Sequence, residues 1–158
     1  MNRPNPDRDT TNHFAEASRR AVPARVAERA LVLSVSTDAD TYAPDEPIEF
    51  TVAIRNRLPV PVEVSTADRR VWSWSVDGFE EASDEKRHVA AVTNVLELRG
   101  LQTKRFTRRW NGRLRRSDGI DGLAEWVPLT RGTHRLRVWL RTAVTNRVVE
   151  DDVEFAVE

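Results

Sequence analysis

The 158-residue chain has no cysteine. That excludes disulfide bridges, thiolate-ligated zinc, iron–sulfur clusters and a thiol nucleophile. Its three histidines, His13, His88 and His134, stand far apart, so a dense imidazole metal site is not expected. There is no uncharged apolar run of the roughly 18 residues that a membrane-crossing helix needs. Basic and acidic residues number 25 each, so the formal net charge is zero. Whole-chain charge therefore gives no pull toward nucleic acid or a membrane. Lysine is nearly missing: Lys86 and Lys104 are the two among 25 basic residues, and the rest are arginine. A GC-rich coding bias accounts for that without a function, although arginine's planar fork does bind carboxylate and phosphate bidentately.

What is present fits one domain, since single domains usually run to roughly 100–200 residues. Hydrophobic residues make up 39% of the chain, enough for a core, beside 32% charged residues. Residues 1–13 are polar and contain Pro4 and Pro6, the pattern of a disordered arm. Phe14 to Ala30 is rich in Ala, Arg and Glu, which suits short helical turns divided by Pro23. The expected organisation is an arm over 1–29, disordered or a short helix, and a domain over 30–158. The stretch Ala21–Leu33 is broken by Arg25, Glu28 and Arg29, so no secretory leader is read there and a cytoplasmic setting is expected.

Period-two alternation dominates from Leu31 onward. In Ile48–Asn56, Ile48, Phe50, Val52 and Ile54 alternate with Glu49, Thr51, Ala53 and Arg55, the pattern of a half-buried strand. Further strands are read in Leu31–Thr37, Val60–Ser65, Arg70–Val76, Leu96–Leu98, Gln102–Trp110, His134–Arg141 and near 147–157. Pro61 cannot donate to a ladder, which places its strand at an edge. Asp77-Gly78 and Asn111-Gly112 mark turns, and residues 79–94 and 113–125 read as loops, the former with room for a short helix. About eight strands with regular turns predict an all-β, Ig-like antiparallel sandwich. A final hairpin centred near Val144-Thr145 would set Arg135 opposite Glu154 and Arg137 opposite Asp152 on the outward face, with room for a bulge at Asp151-Asp152.

No nucleophile elbow, phosphate loop or zinc-protease helix motif occurs, so no catalytic residue is assigned. Asp38, Asp40, Glu46 and Glu49 match positions of a calcium loop, but Ala43 stands where that loop needs glycine and strands flank it. A solvated turn is the better reading, and neither metal nor cofactor is expected. Two features suggest contact. Trp139 lies between Arg137 and Arg141 on an outward face, as an exposed anchor or stacked under those arginines. Eight cations run from Arg99 to Arg116, including Arg108 and Arg109, without an intervening acid and with Phe106 and Trp110 interleaved. A solvated face paired with the acids of 77–85 or 150–154 explains the run most simply. A protein contact comes next, and nucleic acid third.

Several segments resemble a known family in their order. Tyr42–Asn56 enters a strand through a Pro-rich acidic turn and closes on Asn. It is followed by Pro59–Thr66, the aromatic Val71–Gly78 ending in Asp-Gly, Phe106–Gly112, and Leu129–Leu140. This resembles the intracellular proteinase inhibitor family of the BsuPI type over roughly residues 42–142. Asp45 stands where Gly is usual, and Arg131-Gly132 replaces the family's Pro-Gly turn. The resemblance implies a non-catalytic Ig-like protein-binding module, with protease inhibition as one form of that binding. The expected contact residues are Arg137, Trp139, Arg141, Arg108, Arg109 and Trp110. The alternative is a nucleic-acid-associated accessory protein using the 104–116 segment, and no membrane contact is expected.

Overall fold

The computed structural model describes residues 22–82, 93–116 and 124–158. The strongest alternation in the sequence becomes the middle strand of a three-stranded sheet. Here β3 (Ile48–Asn56) lies between β1 (Leu31–Thr37) and β8 (Thr103–Trp110). Ile48, Phe50, Val52 and Ile54 are all buried, as are Leu31, Leu33 and Val35 opposite them. A slip of one residue would turn Glu49, Thr51 and Arg55 inward, so the apolar face itself sets the register.

The second, larger sheet faces the first. Its order is β2 (Thr41–Tyr42), β12 (Val148–Val157), β11 (Gly132–Arg141), β5 (Ser73–Val76), β6 (Phe79–Glu80). All its pairs are antiparallel except β2 with β12. Leu136, Val138, Leu140, Val149, Phe155, Val157, Trp74 and Val76 supply its inner face. Fully burying each such side chain contributes roughly 1.5–3 kcal/mol. β1 packs on β12, and the Asp151 carboxylate, on the inward side of β12, accepts the Val35 N–H at 2.9 Å. This satisfies an edge donor of β1. The architecture is therefore the Ig-like sandwich that the alternation predicts.

Two small sheets complete the described residues. β4 (Val62–Thr66) pairs with β7 (Asn94–Leu98), and β9 (Arg113–Arg116) pairs with β10 (Glu125–Pro128). The second pair corrects the reading of 113–125 as a loop. Leu114 alone is buried among arginines there, too short a pattern for periodicity to register. Val60 is also corrected: it is 42% exposed and precedes β4 rather than belonging to it. Phe79–Glu80 forms β6 rather than a loop or helix, and 83–92 lies outside the described residues.

Of the 1–29 segment, residues 1–21 lie outside the description. Ala24–Arg29 forms helix α1, started by Pro23, and buries Ala27 and Glu28 against the domain. No helix among the described residues is long and apolar enough to cross a membrane.

The final hairpin has the expected register. Arg135 faces Glu154 and Arg137 faces Asp152 in an unbroken ladder, without a bulge at Asp151-Asp152. The Asp77-Gly78 turn also forms, with both residues at positive φ, 50° and 87°. Gly is at home there, and Asp tolerates it.

Candidate functional site

Outward residues alternate with core residues along β11, and three of them carry the predicted site. Arg137 lies opposite Ser75 and Asp152, and Trp139 lies opposite Ser73 and Glu150. With Arg141, they border an open groove of about 280 Å³, also lined by Ser75, Gly78, Glu80 and Val148. Ser75 is on the outer face of β5 yet only 6% exposed, at the floor of this groove. The turn at Asp77-Gly78 brings Glu80 back beside Ser75, which closes one side.

The groove is pre-ordered. The Arg137 guanidinium carbon lies 5.8 Å from the Trp139 ring centre, and Arg137 is also ion-paired with Glu150. Both interpretations of Trp139 thus meet in one residue: it is half-buried and stacked, with part of the indole left open. Arg135, further along, pairs with Glu154 at 2.8 Å and Asp152 at 3.4 Å. Among the described residues, the Arg141 guanidinium reaches the Asn146 side-chain oxygen, at 3.4 Å. The groove therefore offers an indole face, one cation without a carboxylate partner among the described residues, and an apolar wall at Val148. It suits a side chain that is flat or acidic.

The other three predicted residues are placed elsewhere. Arg108, Arg109 and Trp110 are on β8 in the opposite sheet, so the six expected residues do not form one surface. Alternation also splits them among themselves. Arg109 faces outward opposite Glu49, while the Arg108 guanidinium turns over Trp72 at 5.8 Å. Trp110 corrects the expectation outright. It is 7% exposed, packs on Trp74 with ring centres 5.7 Å apart, and donates its indole N–H to the Arg113 carbonyl at 3.1 Å. It is a core residue.

Several of the acids expected to pair with the basic run have other partners, while Asp84 and Glu85 lie outside the described residues. Glu150, Asp152 and Glu154 take Arg135 and Arg137, Glu81 takes Arg70, and Asp77 takes His134 at 2.6 Å. Within the run, Arg113 pairs with Asp45 at 3.0 Å and Arg116 lies over Phe79. Ser75, Gly78, Glu80 and Val148 were missed by sequence reasoning. The Asp-Gly turn was visible, but the pairing of β5 with β11 that brings Ser75, Gly78 and Glu80 to the groove leaves no local mark, and Val148 enters it opposite Arg141 across the β11–β12 hairpin.

Two of the four carboxylates with calcium-loop spacing, Asp38 and Glu46, are engaged within their own turn and strand. Asp38 accepts the Tyr42 hydroxyl at 2.5 Å and the Glu49 N–H at 3.2 Å. The Tyr42 bond holds the Asp38 carboxyl below its usual range, while burial and then Asp38 push Tyr42 up to about 12. Glu46 accepts the Ala43 N–H at 2.7 Å. His134 is likewise engaged at both ring nitrogens, by Asp77 and by the Thr130 carbonyl at 2.7 Å.

The chain belongs to the family of unknown function DUF7974, whose model matches residues 19–158. No curated protein matches it in sequence. Among solved structures it is similar to the CARDB domain of the PF1109 protein of Pyrococcus furiosus, a structure in complex with di-metal ions. Identity there is 14%, over 81% of this chain and 94% of that one, with a TM-score of 0.45. It is also similar to Spo0M, a sporulation control protein from Bacillus subtilis, at 17% identity over 82% of this chain and 49% of that one, with a TM-score of 0.47. A β-glucosidase from Listeria innocua is similar at 15% identity, over 80% of this chain and 16% of that enzyme, with a TM-score of 0.43. Likenesses this distant say nothing of function.

Proposed function

We propose that this member of the DUF7974 family is a non-catalytic, cytoplasmic protein-binding module that uses the groove around Trp139. The observation that carries the reading is the half-buried indole, held by Arg137 from one side and open to the groove on the other. Tryptophan and arginine dominate binding energy at protein interfaces. An anchor already fixed in place loses little side-chain freedom on binding. The groove holds no histidine, and the His134 ring nitrogens are both engaged elsewhere.

The resemblance to intracellular proteinase inhibitors makes a protease the first partner class to test. The protein is titrated against a panel of cytoplasmic proteases beside a Trp139→Ala variant. Stoichiometric, saturable loss of activity that the variant lacks supports inhibition. No loss at micromolar protein removes inhibition, and a pull-down with the same pair of proteins then tests the wider binding reading. A discrete partner lost in the variant supports it, and equal capture by both proteins ends it.

The nucleic-acid reading lacks a supporting observation. Phe106 and Trp110 turn toward the core side of β8 while Arg105 and Arg109 turn away, so the aromatics do not share a face with those cations.

A further inference from the structure

One end of the sandwich carries an apolar point that the groove does not involve. The segment 57–61 and the turn 99–102 meet there. Leu101 N–H bonds the Leu58 carbonyl at 2.8 Å, and Gln102 N–H closes the turn on the Arg99 carbonyl at 3.1 Å. Asn56, fully buried, ties both segments together. Its side-chain amide donates to the Val60 and Arg99 carbonyls at 2.8 and 2.9 Å and accepts the Leu58 N–H at 2.9 Å. Gly100 is required because a Cβ there would overlap the Pro59 carbonyl.

This rigid support holds Leu101 at φ 58° with 52% of its surface exposed. A bulky L-residue avoids that conformation, and strain of this kind persists only where the surroundings impose it. Glycine would serve the turn better, so the turn alone does not explain a leucine. Beside it Val60 is 42% exposed, and Pro59 is exposed as well.

The surrounding charge has one dominant sign. Arg57 and Arg99 lie in the two segments, and Arg55, Lys104 and Arg105 lie at the adjoining strand ends. Arg29 precedes Ala30, whose carbonyl takes the Arg57 N–H. All of these are exposed except the half-buried Lys104. Two exposed acids, Glu63 and Glu97, face each other on the adjoining β4–β7 ladder, Glu97 two residues before Arg99. A net charge of zero for the chain thus conceals a local cationic end.

We propose that this end docks on an anionic lipid surface, with Leu101 and Val60 entering the headgroup layer and the arginines lying over lipid phosphates. The point consists of three exposed apolar residues, far less than the roughly 800 Å² a side of a stable protein interface. A deformable anionic surface accepts so small a point, because apolar insertion and basic residues add up there.

The test is co-sedimentation of the full chain with vesicles of phosphatidylcholine alone and of phosphatidylcholine mixed with phosphatidylglycerol. Binding is expected to the mixed vesicles only, and to fade at high salt. Arg57→Gln and Arg99→Gln should each weaken it about fivefold. Leu101→Gly should weaken it about tenfold while raising the melting temperature, because glycine relieves the backbone. That pairing separates a lost contact from a lost fold. No binding to anionic vesicles at low salt overturns the proposal. So does unchanged binding by Leu101→Gly, which would mean a general polyanion-binding surface such as one for nucleic acid.

Discussion

Glu28, on the last turn of α1, holds Thr145 at the tip of the β11–β12 hairpin by its backbone N–H at 3.0 Å and by its hydroxyl. The same carboxylate takes the Val144 N–H at 2.9 Å, and Arg147 returns a bond to the Glu28 carbonyl at 2.7 Å. A helix of six residues is marginal alone. This clamp, together with the burial of Ala27, fixes it to the domain.

Glu28→Gln should therefore destabilise the protein. The carboxamide nitrogen is a donor facing donors, so at least one loop N–H loses its partner. Bonds to a charged group contribute about 1.5–3 kcal/mol each, and a loss of about 2 kcal/mol is expected in urea denaturation near neutral pH.

The pH dependence of that loss has a definite sign. Burial pushes the Glu28 carboxyl up, but the bonds from Thr145, Val144 and Thr142 outweigh it and hold the group below its ordinary value of 4.5. A depressed carboxylate contributes stability that is full above its unfolded value and is lost as pH falls through the folded one. The difference between wild type and Glu28→Gln should be constant above that ordinary value and close below it. A gap that persists in acid would mean that the carboxylate's charge is not what holds the loop.

Gly100→Ala tests the support of the apolar end. Its Cβ would meet the Pro59 carbonyl, a backbone atom that cannot swing aside. Overpacking of this kind costs about 1–3 kcal/mol, and the melting temperature should fall by several degrees. An unchanged melting temperature would mean that the two segments separate readily.

Glu63 and Glu97 lie directly opposite each other in the β4–β7 ladder, both exposed. Like charges so placed repel, and opposite charges contribute about 0.2–1 kcal/mol. Glu97→Lys should raise stability by about that amount at low salt. High salt should erase the gain.

The sandwich was legible because alternation is a local signal that also fixes register. Ile48–Asn56 shows its buried face without any knowledge of its neighbours, and Arg135 finds Glu154 once the hairpin is centred. β9 was not legible, since one buried leucine among arginines has no period. The site was half legible for the same reason. Arg137, Trp139 and Arg141 share a strand face, whereas Ser75 and Val148 join them only through pairings with β5 and β12. Trp110 misled because an aromatic ending a basic run looks alike whether it faces the partner or the core.

The two tryptophans give the sharpest contrast between contact and core. Trp110 packs on Trp74 and spends its N–H on Arg113. Trp110→Ala should cost about 3–5 kcal/mol, the usual cost of deleting a buried aromatic. Trp139 is half-open and backed chiefly by the Arg137 stack, worth about 0.5–1 kcal/mol at an exposed site. Trp139→Ala should therefore lower the denaturation midpoint only slightly, and any loss of partner binding then reflects a lost contact rather than a lost fold. Equal destabilisation by both substitutions would make Trp139 a structural residue and would leave the groove without its anchor.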